Sequence, residues 1–172
     1  WWRKGSEQGG ADARCTSLGL AHGVGQGVRK EDSVVDSEAV RRWLKAAEQS
    51  DAGAQYNLGG AHRDGRGVRQ DNAEAARGWR MAAEQGHAEA QCNLGTAHWE
   101  ALGVAQDDAE AARWWLRAAE QGNARAQCQL GGAHWEGRGV RQDEAEAAQW
   151  WRKAAEQGHP AAQRALRGAG RE

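Results

Sequence analysis

The stretch "RWWLRAAEQGN" at residues 113–123 decides the fold, because it returns 36 residues later as "QWWRKAAEQGH" at residues 149–159. The match continues beyond these letters: 25 of 36 positions are identical between His87–Gly122 and Asn123–Gly158. Self-similarity at a period of 20–50 residues is the signature of a repeat architecture. The sequence therefore predicts a stack of copied units of about 36 residues.

Composition excludes several classes of partner. The formal net charge of the 172 residues is −1, and basic and acidic residues are interspersed. We therefore expect neither nucleic acid nor an anionic membrane surface as a partner. No apolar run approaches the roughly 20 residues that span a bilayer, so we expect no membrane insertion.

The ends and the cysteines say little about location. The chain opens "WWRKGSEQGG", without a starting Met or an apolar signal region, so we expect a piece of a longer array. Its three cysteines, Cys15, Cys92 and Cys128, are too few for a disulfide framework in a domain of this length. They slightly favour a reducing compartment, and localisation is otherwise open.

Each unit is predicted to contain two helices, called here helix A and helix B. In "AEAQCNLGTAHWE" the spacing puts Ala90, Leu94, Ala97 and Ala101 on one face of helix A, and Gly103 ends it. Helix B is expected to begin after an aspartate that is followed three residues later by a glutamate, a capping spacing. These pairs are Asp71/Glu74, Asp107/Glu110 and Asp143/Glu146. Helix B is expected to stop at Gly86, Gly122 or Gly158.

Helical geometry assigns the paired tryptophans different places. Trp115 shares a helix face with the neighbouring alanines, whereas Trp114 lies about 100° away. The second tryptophan of each pair is therefore predicted to be the core residue and the first to lie at the edge. The core position is occupied in every unit, by Trp43, Trp79, Trp115 and Trp151.

With the pattern "LGxAHxxGxGVxQDxAEAAxWWxxAAEQG" in view, the chain resembles the Sel1-like repeat (SLR) family, relatives of the tetratricopeptide repeats. The resemblance implies an all-α, right-handed α-solenoid of antiparallel helix pairs. It covers residues 1–172 as one array. The units are a partial helix B at 1–9, repeats at about 11–51, 52–87, 88–123 and 124–159, and a partial helix A at 160–172. The resemblance also implies a scaffold or adaptor that binds a protein or peptide on the concave surface of its A helices.

Metal binding and catalysis are not expected. One histidine stands at the same position of each unit, and such positions lie about 8–10 Å apart in stacked hairpins, too far to share a zinc ion. We expect these rings, His22, His62, His98 and His134, to bond a neighbouring loop instead. No cysteine or serine stands at a spacing that brings a base to it, so we expect no enzyme and no cofactor.

One stripe is the candidate binding site. On helix A, positions spaced i, i+4, i+7 face away from Leu94 and combine small residues with isolated Trp or Arg, which are frequent in interface hot spots. The candidate residues are Tyr56 and Arg63, then Cys92, Thr96 and Trp99, then Cys128 and Trp135. Two alternatives stay open: a structural spacer within a longer array, and single-strand RNA binding, which the neighbouring Glu100 and Glu136 disfavour.

Overall fold

The structure is a computed structural model that describes residues 30–169, with side chains from residue 36 onward. This part of the chain is an all-α, right-handed solenoid in which each helix packs antiparallel on the next. The helices are α1 Lys30–Ala47, α2 Ala52–Asp64, α3 Asn72–Glu84, α4 Ala88–Glu100, α5 Asp108–Glu120, α6 Ala124–Glu136, α7 Glu144–Glu156 and α8 Pro160–Ala169. The predicted helix B at 1–9, Cys15, His22 and residues 170–172 lie outside the described residues.

The ends of the helices follow from local chemistry. As predicted, Asp107 accepts a hydrogen bond at 2.9 Å from the backbone N–H of Glu110, and Asp143 accepts one from Glu146 at 2.9 Å. Three A helices, α2, α4 and α6, are followed by a residue in the left-handed conformation, which is Gly65 after α2 and Gly137 after α6. In the third repeat Ala101 takes that conformation at φ 57°. Ala101 is therefore an exposed cap, and its predicted place on the packed face of helix A is wrong.

In the three repeats from residue 52 to residue 159, a glycine of helix A lies against the second tryptophan position of helix B. A Cβ atom built on Gly59, Gly95 or Gly131 would meet the indole Cδ1 at 2.5, 2.6 and 2.5 Å respectively. The absence of a side chain lets the helices approach closely, and the ring fills the remaining space. Trp115 is 1% exposed, which confirms it as the core residue of its pair. In α8 the equivalent position is occupied by Arg167, which is exposed.

The prediction that Trp114 is an edge residue is wrong. Trp114 is 7% exposed and packs with Trp79, Ala82 and Leu94, at the seam between its own repeat and the preceding one. Trp150 has the same exposure and fills the next seam. Helix B packs on its own helix A and on the helix A that follows, and the ring of Trp114 also reaches Trp79 and Ala82 of the preceding helix B. Positions about 100° apart on helix B are therefore both buried.

Buried glutamines connect the A and B helices along the array. The side-chain Nε2 of the last-turn glutamine of helix B donates to Oε1 of a glutamine in helix A of the same repeat. These bonds are Gln85 to Gln55 at 2.7 Å, Gln121 to Gln91 at 2.7 Å and Gln157 to Gln127 at 2.9 Å. Gln91 and Gln127 in turn donate to backbone carbonyls of the preceding helix B. The recurring "EQG" is therefore a hydrogen-bonding motif as well as a helix end.

Candidate functional site

The stripe predicted on the A helices is only partly accessible. Cys92 and Cys128 are each 1% exposed, and the hydroxyl of buried Thr96 donates to the carbonyl of Cys92 at 3.0 Å. The next A helix lies over this position, because Nε of Arg125 donates to Sγ of Cys92 at 3.2 Å. These three residues were predicted to belong to the binding stripe, and their burial leaves almost none of their side-chain surface accessible to a partner.

Tyr56, Arg63, Trp99 and Trp135 are half-buried, and they form what we call the helix-A face together with Arg125. Tyr56 stacks on His87 with ring centroids 4.7 Å apart. Arg63 is bonded to Asp64 at 2.7 Å, which raises the pKa of the guanidinium. Each of these side chains is therefore held in place and also partly open to solvent.

The two stripe tryptophans pack on the core tryptophan of their own repeat. The ring centroid of Trp99 lies 5.1 Å from that of Trp115, and the centroid of Trp135 lies 5.6 Å from that of Trp151. Tilted contacts at this distance stabilise aromatic pairs. Each stripe tryptophan thus packs on the core with one part of its ring and remains partly exposed to solvent with the rest.

Arg138 covers one of these rings and was missed by sequence reasoning. Its guanidinium lies 3.8 Å above the centroid of Trp99 and bonds both carboxylate oxygens of Asp108 at 3.0 and 3.1 Å. A bidentate pair combined with a ring contact fixes the loop of one repeat on the preceding repeat. The equivalent loop residue one repeat earlier is Leu102, which packs on the apolar cluster that contains Trp79 and Trp114.

A group of basic residues lies at the N-terminal edge of the helix-A face. Arg125 donates to Oδ1 of Asn93, which is 7% exposed, as well as to Cys92. Burial, together with the charges of Arg125 and Arg164, lowers the pKa of His159. Arg125 occupies the position that Glu89 has in the preceding repeat, so the charge is reversed between the two repeats. This reversal is visible in the sequence, but the predicted stripe did not include Arg125.

The histidines divide into two structural roles. Nδ1 of His98 lies 3.2 Å from the carbonyl of Ala105, and Nδ1 of His134 lies 3.3 Å from that of Arg141, which confirms the predicted loop bond for these two rings. For His62 the prediction is wrong, because its Nδ1 is buried without a hydrogen-bond partner. His87 and His159 begin the A helices: Nδ1 of His87 accepts from the backbone N–H of Ala90 at 3.3 Å. They occupy the N-cap position that Asp51 and Asn123 hold in other repeats.

Nothing in the described residues resembles a reactive centre. Burial raises the pKa of the Cys92 thiol, which disfavours the thiolate that nucleophilic attack or metal ligation needs. Between residues 30 and 169 no group of three or more His, Cys, Asp or Glu side chains is arranged to hold a metal ion. In the same part of the chain no helix is long and apolar enough to cross a membrane.

Comparison with known proteins agrees with this architecture. The model of the Sel1 repeat family matches residues 15–51, 52–87, 88–123 and 124–159. A search of curated proteins found no match. A Sel1 repeat protein from Oxalobacter formigenes is 36% identical with a TM-score of 0.71, over 77% of this chain and 39% of that one.

Two further solved structures are similar. A protective antigen of uropathogenic Escherichia coli strains, described as having an SLR fold, is 39% identical with a TM-score of 0.71, over 86% of this chain and 31% of that one. Cysteine-rich protein B of Helicobacter pylori shares the fold at 21% identity and a TM-score of 0.59, over 80% of this chain and 97% of that one. The chain thus spans less than two fifths of the first two relatives.

The repeat matches, the helix pairs and the glycine-tryptophan contacts agree on one assignment. Proteins of this kind are not typically enzymes, and they commonly bind other proteins as scaffolds. The chain belongs to the Sel1 repeat family.

Proposed function

We propose that the chain binds an extended segment of a partner protein along the helix-A face. The observation that carries the proposal is the pair Trp99 and Trp135, two half-buried rings at equivalent positions, each held by a core tryptophan beneath it. Tryptophan is enriched in interface hot spots, and a ring that is already fixed loses little entropy when a partner contacts it.

The spacing of the two rings suits an extended chain. Neighbouring packed helices lie about 8–10 Å apart, and an extended chain advances about 3.3 Å per residue. A partner segment crossing the A helices therefore presents a side chain to successive rings about every third residue. On α2 the position equivalent to the two rings is occupied by Arg63, and Tyr56 lies about two helical turns away from it on the same helix.

The outer face formed by the B helices lacks such a row. Its exposed large apolar residues are Leu44, Met81 and Leu116. The equivalents of Leu44 and Leu116 in the other repeats are Arg80 and Arg152, so these apolar side chains are isolated. Single exposed apolar residues are normal on a protein surface. This contrast favours the helix-A face as the binding surface.

The experiment is a selection of random 12-residue peptides displayed on phage, followed by mapping of a selected peptide on isotope-labelled protein by amide chemical shifts. We expect the shifts to cluster around Trp99 and Trp135. Trp135→Gln should weaken binding at a temperature where circular dichroism shows the variant folded, and Leu116→Gln on the outer face should not. Shifts clustered around Leu44 and Leu116, or no selected peptide, would support an outer-face contact or a spacer instead.

A further inference from the structure

At the N-terminal edge of the helix-A face, Arg125 and Arg164 form no ion pair with any carboxylate whose side chain the structure describes. Arg125 is half-buried, and its hydrogen-bond acceptors, Asn93 and Cys92, are neutral. Among residues 36–169 no Asp or Glu oxygen lies within 4.0 Å of the guanidinium of Arg125 or of Arg164. Other arginines of this surface, such as Arg63 and Arg138, do have carboxylate partners.

The acidic residues of the same surface make no ion pair with these two arginines. Glu89, at the position equivalent to Arg125 one repeat earlier, also acts on the Cys92 thiol, but its carboxylate lies 3.3 Å from Nδ1 of His87 and is 60% exposed, so solvent screens its charge. Glu136 is on the same helix as Arg125 but 11 residues further on, about 16 Å along the axis. That separation exceeds the Debye length of about 8 Å at physiological ionic strength, so this carboxylate does not neutralise the arginine.

Three basic side chains belong to one neighbourhood at this edge. His159 begins α8, Arg164 lies one turn further along it, and the charges of Arg125 and Arg164 both act on the imidazole. His159 accepts a backbone hydrogen bond through Nδ1, and burial, followed by the charges of the two arginines, lowers the pKa of its ring. The two arginines are therefore the candidate carboxylate ligands at this edge. Arg164 stands at the stripe position that Tyr56, Cys92 and Cys128 occupy in the preceding repeats.

We propose that Arg125 and Arg164 bind an acidic side chain, Asp or Glu, of the partner segment that lies on the helix-A face. The inference rests on the proposed function and specifies the chemistry of the partner. Asn93 is buried and holds the guanidinium of Arg125 in place, so little side-chain entropy is lost when a carboxylate binds. Arginine presents a planar fork of donors that matches a carboxylate, and such bonds are stronger than neutral ones.

The test repeats the peptide selection with a charge-matched pair of variants. Arg125→Gln with Arg164→Gln removes two charges from the edge, and the amide nitrogen at residue 125 corresponds in chain length to Nε of the arginine, which donates to Sγ of Cys92. The control, Arg141→Gln with Arg152→Gln, removes two charges from exposed positions in a loop and on α7. We expect peptides selected on the unchanged protein to be enriched in Asp or Glu at one position. That enrichment should persist in the control and disappear in the edge variant.

The dissociation constant of one selected peptide then measures how much the two arginines contribute to its binding. We expect its Kd to rise roughly tenfold or more in the edge variant and by less than about twofold in the control, because only the edge variant loses charged hydrogen bonds to the carboxylate of the peptide. Replacing the acidic residue of the peptide by its amide should weaken binding to the unchanged protein and leave binding to the edge variant unaltered.

Each outcome separates the two proposals. Peptides that bind the helix-A face without acidic enrichment, or whose enrichment survives in the edge variant, overturn the role of the arginines and leave the proposed function standing. Failure to select any peptide on that face contradicts the proposed function itself. A thermal melt of the edge variant within a few degrees of the control excludes unfolding as the cause of lost binding.

Discussion

Two adjacent glycines of α6 should respond in opposite directions to the same substitution. Gly131 faces Trp151: a Cβ atom there would lie 2.5 Å from Cδ1 and 3.1 Å from the carbonyl of Ala147. At Gly132 a Cβ atom would meet nothing within 4 Å. Neither glycine has a positive φ, so alanine suits the backbone at both positions. The pair therefore isolates packing from helix propensity.

The contact between residue 131 and Trp151 gives an estimate of the unfolding free energy that Gly131→Ala should remove. The indole would have to move by about 0.9 Å to reach ordinary van der Waals distance. Trp151 is 4% exposed, and its Nε1 donates to the carbonyl of Cys128 at 3.1 Å, so this movement strains or breaks the bond. Overpacking costs about 1–3 kcal/mol and the lost bond about 1 kcal/mol, against a gain of about 0.5–1 kcal/mol from the alanine. We expect a net loss of about 2 kcal/mol.

Gly132→Ala should stabilise the protein by about 0.5–1 kcal/mol. At about 2–4 °C per kcal/mol for a chain of this size, Tm should fall by about 4–8 °C in one variant and rise by about 1–4 °C in the other. Circular dichroism melts at 222 nm measure both. If Gly131→Ala melts at or above the temperature of Gly132→Ala, the assignment of Gly131 to a close helix contact is wrong.

Three further predictions follow from the contacts described above. Trp114→Ala should cost about 3–5 kcal/mol, as much as Trp115→Ala, and urea melts showing a much smaller loss would contradict burial at the seam. His159→Asn should reduce the loss of stability between pH 7.5 and 5, because the pKa of this ring is lowered in the folded state, so the unfolded chain takes up the proton first as the pH falls; equal losses in the two proteins would refute it. Arg138→Ala and Asp108→Ala should show a coupling energy of about 1 kcal/mol in a double-mutant cycle of melts, and zero coupling would show that the bidentate pair contributes nothing.

The repeat pattern predicted the helices because each boundary is encoded within a few residues. Asp107 is followed by Glu110, and Gly122 has φ 90°, a conformation that glycine adopts without strain. Such local signals need no knowledge of neighbouring repeats. The hydrogen bond between His98 and the loop could also be predicted, because the carbonyl of Ala105 belongs to a residue close to His98 in sequence.

Burial between repeats was harder to predict, because helix periodicity describes one helix and not the number of its neighbours. Helix periodicity assigns Trp114 to an edge because it takes account of one packed face of helix B, and it gives no sign that the next A helix covers Cys92. The N-cap role of His87 could have been found, because Asp51 and Asn123 stand 36 residues before and after it. The bond between Arg138 and Asp108 had no comparable signal, since the preceding repeat replaces both residues.

The glycine-tryptophan contact also decides where the array accepts new repeats. A designer who duplicates residues 88–123 supplies both halves of the contact, Gly95 and Trp115, and a longer groove should result. A new B helix placed directly after α8 would instead meet Arg167, where a glycine is needed. Extension at that point requires Arg167→Gly first, so a single residue distinguishes a position that permits growth of the solenoid from one that blocks it.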